Sequence, residues 1–176
     1  VGAGEWKWLF IYPYERIATV NFVEIPKDTP VLFKITADAP MNAFWIPQLA
    51  GQVYAMPGMT AQLNIMANET GDYKGSSSNF SGDGFSGMKF ITRVVTKEEY
   101  SQWVNTTRYS ANMLTSSSYN ELAKQSKDNK VEYYAYVEEE LYTKIIMKFM
   151  PHMKNQSIEP QMGGALIDTM EHMNTH

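Results

Sequence analysis

From residue 1 to about residue 95 the apolar residues come in short alternating runs, each closed by a turn signal, with no helical repeat between them. That pattern restricts the fold more than any other feature of the chain. Val31, Phe33 and Ile35 share one face of a run that opens at Pro30, and Leu63 and Ile65 share one face of the run from Ala61 to Ala67. The stretch from Met88 to Val95 alternates less cleanly but is rich in β-formers. Turn signals separate these runs: Pro26-Lys27-Asp28, Asp38-Ala39-Pro40, Pro57-Gly58, Glu69-Thr70-Gly71-Asp72 and the Gly/Ser stretch from Gly75 to Gly87. Short strands at this spacing predict an all-β sandwich or barrel. Trp6, Trp8, Phe10, Tyr12 and Tyr14 recur with period two. They read as a strand that packs an aromatic core or covers a partner, with an electron path or docking patch as the functional alternative.

After Val95 the pattern becomes helical. Thr96-Lys97-Glu98-Glu99 is a capping box ahead of Tyr100, Trp103 and Val104, and Ser118-Tyr119-Asn120-Glu121 repeats the device ahead of Leu122. Val137, Leu141, Ile145 and Phe149 recur every four residues, which predicts an amphipathic helix stopped by Pro151. Its Glu138-Glu139-Glu140 run reads as a solvated helix start favoured by the macrodipole, ahead of an acidic ligand cluster. The expected organisation is a β-sandwich over 1–95, a helical aromatic-rich extension over 96–150 and a flexible tail over 151–176.

The 176 residues suffice for one domain with an appendage, and 44% of them are hydrophobic, enough to bury a core. The net charge is -4 and no Lys/Arg cluster exceeds two, so nucleic acid is not an expected partner. No apolar run approaches the roughly 18 residues that a spanning helix needs, so the polypeptide as given is expected to be soluble.

The chain has no cysteine, which excludes disulfides, thiolate metal sites and a cysteine nucleophile. Its three histidines, His152, His172 and His176, all follow Pro151. A Ser-His-Asp site, a histidine acid or base, or a histidine-ligated metal therefore cannot be built from the β region alone. Asp38, Asp72 and Asp83 lie in Gly- or Pro-rich turns, where side-chain-to-backbone bonding is the expected role rather than paired-carboxylate chemistry. The Gly75–Gly87 stretch fits no phosphate-binding fingerprint. No catalytic residue is expected. Met150, Met153, Met162, Met170 and Met173 together with the histidines form a soft-donor set in the tail. That leaves copper handling, or a free-standing sandwich module for a small ligand, as the alternative function.

Four segments taken together resemble one family: Glu5 to Pro13 (EWKWLFIYP), Met41 to Leu49 (MNAFWIPQL), Tyr54 to Met59 (YAMPGM) and Tyr73 to Phe90. In order and spacing they resemble subunit II of the haem–copper respiratory oxidases, with the cytochrome-o-type ubiquinol oxidases as the nearer branch. Gly84-Phe85-Ser86-Gly87-Met88-Lys89-Phe90 looks like that branch's signature, and Val131 to Met150 resembles its aromatic-rich extension. The resemblance implies a cupredoxin-like Greek-key sandwich with a C-terminal helical extension. It also implies two preceding membrane helices outside this chain and a place on the periplasmic side of a bacterial inner membrane.

In the cytochrome c oxidase branch this domain holds a binuclear copper centre. Its ligands are a histidine in an early aromatic segment and a loop of cysteine, glutamate, cysteine, histidine and methionine. Laid on this chain, that pattern puts Asn42 at the first histidine, Ser77 and Ser81 at the cysteines, Asn79 at the glutamate and Phe85 at the second histidine. Met88 alone keeps its type. The resemblance thus implies no metal and no cofactor in this domain, with haem and copper held by subunit I. It implies oxidase subunit I and other membrane subunits as partners, and no cytochrome c. The parent complex would oxidise ubiquinol, reduce O₂ to water and pump protons.

Overall fold

The computed structural model describes residues 7–38, 42–56, 58–76, 89–110, 112–123, 131–147 and 162–169. The period-two aromatics form β1 (Trp8–Tyr12), which is buried at every position. Trp8, Phe10 and Tyr12 face one hydrophobic cluster, while Leu9 and Ile11 face another on the opposite side. β1 is therefore a shared wall between two cores. Of the flanking aromatics, Tyr14 is exposed beyond the strand, and Trp6 lies outside the described residues.

The remaining strands are β2 (Ile17–Val20), β3 (Phe22–Pro26), β4 (Val31–Asp38), β5 (Asn42–Phe44), β6 (Val53–Ala55), β7 (Ala61–Ile65), β8 (Gly71–Ser76), β9 (Lys89–Val95), β10 (Met113–Leu114), β11 (Glu132–Tyr134), β12 (Tyr136–Val137) and β13 (Met162–Thr169). The larger sheet runs β11-β2-β1-β13-β4-β7, the smaller runs β3-β9-β8, and β5-β6 and β10-β12 form two-stranded pairs. The first core lies between the two larger sheets, where Phe10, Phe33 and Ile35 meet Val23, Ile25, Phe90 and Val94. Apolar burial of this kind stabilises by roughly 25 cal/mol per Å² removed from water. The expected sandwich is present, and its alternating runs appear where β4, β7 and β9 lie.

The chain crosses from one sheet to the other at Asn21. This residue takes a positive φ of 56°, which short polar side chains tolerate. Its side-chain oxygen accepts from the Trp8 backbone N–H at 2.9 Å, and its own N–H donates to the Trp8 carbonyl at 2.8 Å. Tyr12 then ties the layers together. Its hydroxyl donates to the Glu24 carbonyl (2.9 Å) and accepts from the Glu24 N–H (2.8 Å), so both backbone groups of an edge residue of β3 are satisfied. Each such bond contributes about 1 kcal/mol net, and leaving the pair unmade would cost more.

The helices are α1 (Lys97–Thr107), α2 (Ser116–Ala123) and α3 (Leu141–Met147). α1 starts as its capping box predicts, with the Thr96 hydroxyl accepting from the Glu99 N–H at 3.2 Å. Tyr100, Trp103 and Val104 attach it to the first core. α2 begins earlier than expected. Thr115, not Ser118, is its cap: the Thr115 hydroxyl accepts from the Ser118 N–H (3.3 Å), and the Ser118 hydroxyl accepts from the Thr115 N–H (2.7 Å).

The third helix is shorter than its periodicity predicts. Val137 pairs in β12 with Leu114, and Glu140 adopts φ 59°, so regular helix starts only at Leu141. Phe149 and Pro151, expected at its end, lie outside the described residues. Glu138 does not open its own helix. Its carboxylate accepts from the Ser116 N–H (2.9 Å) and the Ser116 hydroxyl at the start of α2, and lies 3.6 Å from the Lys144 ammonium. These bonds to Ser116 hold its carboxyl below the usual carboxylate range. Leu114, Tyr119, Tyr134, Val137, Leu141 and Ile145 build the second core against Leu9, Ile11, Ala18 and Val20.

Within 151–176, expected to be a flexible tail, Met162–Thr169 forms β13 in the middle of the larger sheet. It pairs in parallel with β1 (Trp8↔Gly163) and antiparallel with β4 along eight partners, from Met162↔Asp38 to Thr169↔Val31. A strand with ladders on both edges draws its stability from backbone bonds to two neighbours, so it needs no alternating pattern to hold its place. Met150 and the other tail residues singled out by sequence, His152, Met153, Met170, His172, Met173 and His176, lie outside the described residues.

Candidate functional site

Of the positions given by the copper-type pattern, Asn42 is the one among the described residues. Asn42 opens β5, pairing with Ala55 of β6. One residue past the end of β5, Trp45 forms a bridge to Ser76, the last residue of β8, with N–H···O distances of 3.1 and 2.9 Å. Ser76 in turn pairs with Lys89, the first residue of β9, so the segment 77–88 departs from and returns to one closed rung. The strand carrying Asn42 and the root of the loop carrying the other five positions are thus held side by side. Ser77, Asn79, Ser81, Phe85 and Met88 themselves lie outside the described residues.

Beneath that rung the core is aromatic. Phe44 stacks on Phe90 with centroids 5.1 Å apart and planes 13° from parallel, and Trp8 meets Phe44 edge-on at 5.1 Å. Phe10 and Phe33 close the group, at 5.1 Å from Phe90 and 5.7 Å from Phe44. Pairs of this kind contribute about 0.5–1.5 kcal/mol each beyond their buried area. Gly75 is the close-approach point: a Cβ there would lie 2.2 Å from the Phe90 ring, which is itself locked between neighbours. The loop root therefore rests on a packed hydrocarbon floor.

The donor set does not fit the binuclear copper that the fold family implies. Such copper needs bridging thiolates and imidazoles, whereas the aligned positions offer two hydroxyls, two amides, a phenyl ring and one thioether. The buried side-chain polar atoms without a hydrogen-bond partner among the described residues are Trp8 Nε1, a donor only, and the Thr92 hydroxyl. Neither is a copper ligand. Among the described residues no group of three or more His, Cys, Asp or Glu side chains could hold a metal ion.

The ionisable groups of note lie farther along the smaller sheet, where sequence reading singled out none but Asp72, and that as a turn residue. Asp72 is instead a strand residue whose carboxylate takes two bonds from Arg93, at 2.9 and 3.2 Å. The guanidinium holds the Asp72 carboxyl below its ordinary range and also lies 5.3 Å from the Phe22 ring centroid. Glu24, directly opposite Arg93 in the register, is only 4% exposed. Burial pushes its carboxyl up to about 7, against the attraction of Arg93 and with the repulsion of Glu99 and Asp72. Burial likewise raises the Tyr12 and Tyr100 hydroxyls, keeping both neutral donors. The sequence signal for Glu24 was a lone charge inside the apolar run Phe22–Pro26.

Residues 6–95 match the family described as the cytochrome c oxidase subunit II periplasmic domain, and residues 108–153 match the COX aromatic rich motif. The chain is 49% identical to ubiquinol oxidase subunit 2 of Acetobacter aceti over 85% of its own length and 48% of that protein's. It is 46% identical to cytochrome bo(3) ubiquinol oxidase subunit 2 of Pseudomonas putida over the same shares. To quinol oxidase subunit 2 of Bacillus cereus it is 48% identical, over 70% of the chain and 43% of the relative. The chain thus spans about half the length of the curated relatives it matches. Among solved structures, the periplasmic domain of cytochrome oxidase subunit II from Bradyrhizobium japonicum superposes with a TM-score of 0.52 at 21% identity. That match covers 57% of this chain and 91% of the other. It establishes the cupredoxin-like fold that the resemblance implied.

Proposed function

Because the chain belongs to the cytochrome c oxidase subunit II periplasmic-domain family, we propose that it is the extracytoplasmic domain of subunit II of a quinol oxidase and relays no electrons. The observation that carries this reading is the donor set. With no cysteine anywhere and Asn42, Ser77, Asn79, Ser81 and Phe85 at the ligand positions, only Met88 would remain to hold copper. Relatives named ubiquinol or quinol oxidase subunit 2, at 46–49% identity, support the same branch. A quinol delivers its electrons from within the bilayer, so a soluble cytochrome need not dock and a copper relay has nothing to carry.

On this reading the parent complex oxidises ubiquinol, reduces O₂ to water and pumps protons, with haem and copper in subunit I. This domain sits on the periplasmic side of the bacterial inner membrane and supports assembly. The matched segments 6–95 and 108–153 support a division into a sandwich over 1–95 and an extension over 96–150, with β13 returning from beyond the extension to complete the sandwich. Among the described residues no helix is long and apolar enough to cross a membrane.

The test is purification of the tagged full-length protein from native membranes. Co-purification with a haem-containing subunit is expected, in a preparation that consumes O₂ with a ubiquinol analogue and fails to oxidise reduced cytochrome c. Cytochrome c oxidation, or the absence of any haem-containing partner, would overturn the proposal.

A further inference from the structure

We propose that the outer face of the smaller sheet carries a basic groove that seats an acidic, partly apolar segment of a neighbouring oxidase subunit, an inference that rests on the function proposed above. The groove encloses about 460 Å³ and is lined in part by Asn21, Pro47, Lys74, Lys89, Ile91 and Val131. Lys74 stands opposite Ile91 and Lys89 opposite Ser76, so the two ammonium groups occupy diagonal positions on one face of neighbouring antiparallel strands. Diagonal side chains of this kind lie roughly 7–8 Å apart, within reach of a shared partner.

Neither lysine forms an ion pair among the described residues. The acid nearest in register, Asp72, is committed to Arg93 through two bonds. No carboxylate appears among the described lining residues. Among the described residues, then, a chain of net charge -4 places two cations without an ion-pair partner in one depression, an arrangement that an anionic partner would relieve.

The apolar part of the argument comes from the rest of the lining. Pro47 and Val131 are exposed there beside half-buried Ile91. Trp45, 36% exposed, is bridged to Ser76, which lines the groove. Exposed apolar side chains beside two cations fit a carboxylate-bearing, partly apolar strand or loop better than a free inorganic anion. A protein assembled as a subunit has such a neighbour permanently available.

The test uses the whole tagged oxidase. Lys74→Glu with Lys89→Glu should lower recovery of the other subunits at moderate salt by about tenfold, while Lys74→Arg with Lys89→Arg should retain it. Recovery unchanged in a folded Glu variant would overturn the groove assignment. Because charge reversal can impair folding, a photoreactive benzoylphenylalanine at Val131 gives an independent reading. A cross-link to an Asp- or Glu-containing segment of an oxidase subunit supports the proposal. A cross-link to lipid alone, to a protein outside the complex, or to nothing overturns it. If the unmodified chain recovers the oxidase and these arms fail, only the groove falls. If it recovers no oxidase subunit, the functional reading falls first.

Discussion

Replacing Asn42 and Phe85 by His, and Ser77 and Ser81 by Cys, is expected to convert a colourless protein into one that binds copper stoichiometrically and absorbs visible light. The physical case is one of ligand chemistry on a frame set by β5, β8 and β9. Two thiolates four residues apart in one loop can bridge a pair of ions, imidazoles from β5 and from the loop can complete the set, and the Met88 thioether is already in the chain. The backbone carbonyl of residue 79 supplies a further oxygen.

The frame comes from described residues. The Trp45–Ser76 bridge holds β5 beside the loop root, and the Ser76↔Lys89 rung fixes both ends of the loop. The Phe44–Phe90 stack packs the core beneath that rung. The change sought is from no stoichiometric copper to a full site, read by metal analysis and visible absorption after incubation with copper salt. A folded variant that stays colourless would show that the loop alignment is displaced.

The second large effect concerns Glu24. Folded, its carboxyl titrates at about 7, against 4.5 for a free glutamate, chiefly because burial penalises the carboxylate. A raised carboxyl pKa means the folded chain holds a proton that the unfolded chain has released. The associated stability is fully present below about pH 4.5 and falls as the pH rises from there through 7, after which the loss is constant. Glu24→Gln removes this dependence. At pH 8 the variant should be more stable than the parent by on the order of 2–3 kcal/mol, and at pH 4.5 the two should be nearly equal.

The Asp72–Arg93 pair acts in a different window. Its lowered carboxyl contributes above the ordinary aspartate range and is lost on acidification below it, so it does not mask the Glu24 effect. Denaturant unfolding of both proteins at pH 4.5, 6 and 8 measures the difference. Parallel stability curves would show that the Glu24 carboxyl is hydrated in solution.

What could be read from the chain and what could not follows from where the stabilising groups reside. Within the first 95 residues β4 and β7 were legible from their alternating apolar positions and β9 from its β-forming residues. β1 was visible through its aromatics, although Leu9 and Ile11 between them already hinted at a second buried face. β13 was invisible because Met162-Gly163-Gly164-Ala165-Leu166-Ile167-Asp168-Thr169 has no alternation, and its partners lie far away in sequence. The start of α1 was legible because capping chemistry is local. The periodicity from Val137 to Phe149 overestimated α3 because the tertiary demands on Val137 and Glu138, pairing with Leu114 and capping α2, overrode a local helical preference.

The candidate site divides the same way. Residue types at Asn42, Ser77, Ser81 and Phe85 state the donor chemistry without coordinates, since hydroxyls, amides and a phenyl ring cannot replace thiolate and imidazole in any geometry. Glu24 and the Lys74–Lys89 groove could not be ranked that way. Their significance lies in burial and cross-strand register, which depend on β3, β8 and β9 meeting across long stretches of chain.

The copper content of the native, untagged chain bears most directly on the whole account. The folded protein, incubated with excess copper and passed through a desalting column, should carry far less than a stoichiometric amount by atomic spectroscopy and show no thiolate-to-copper absorption. Stoichiometric copper that survives that passage and resists a weak chelator would contradict the claim that this sandwich has lost its metal relay.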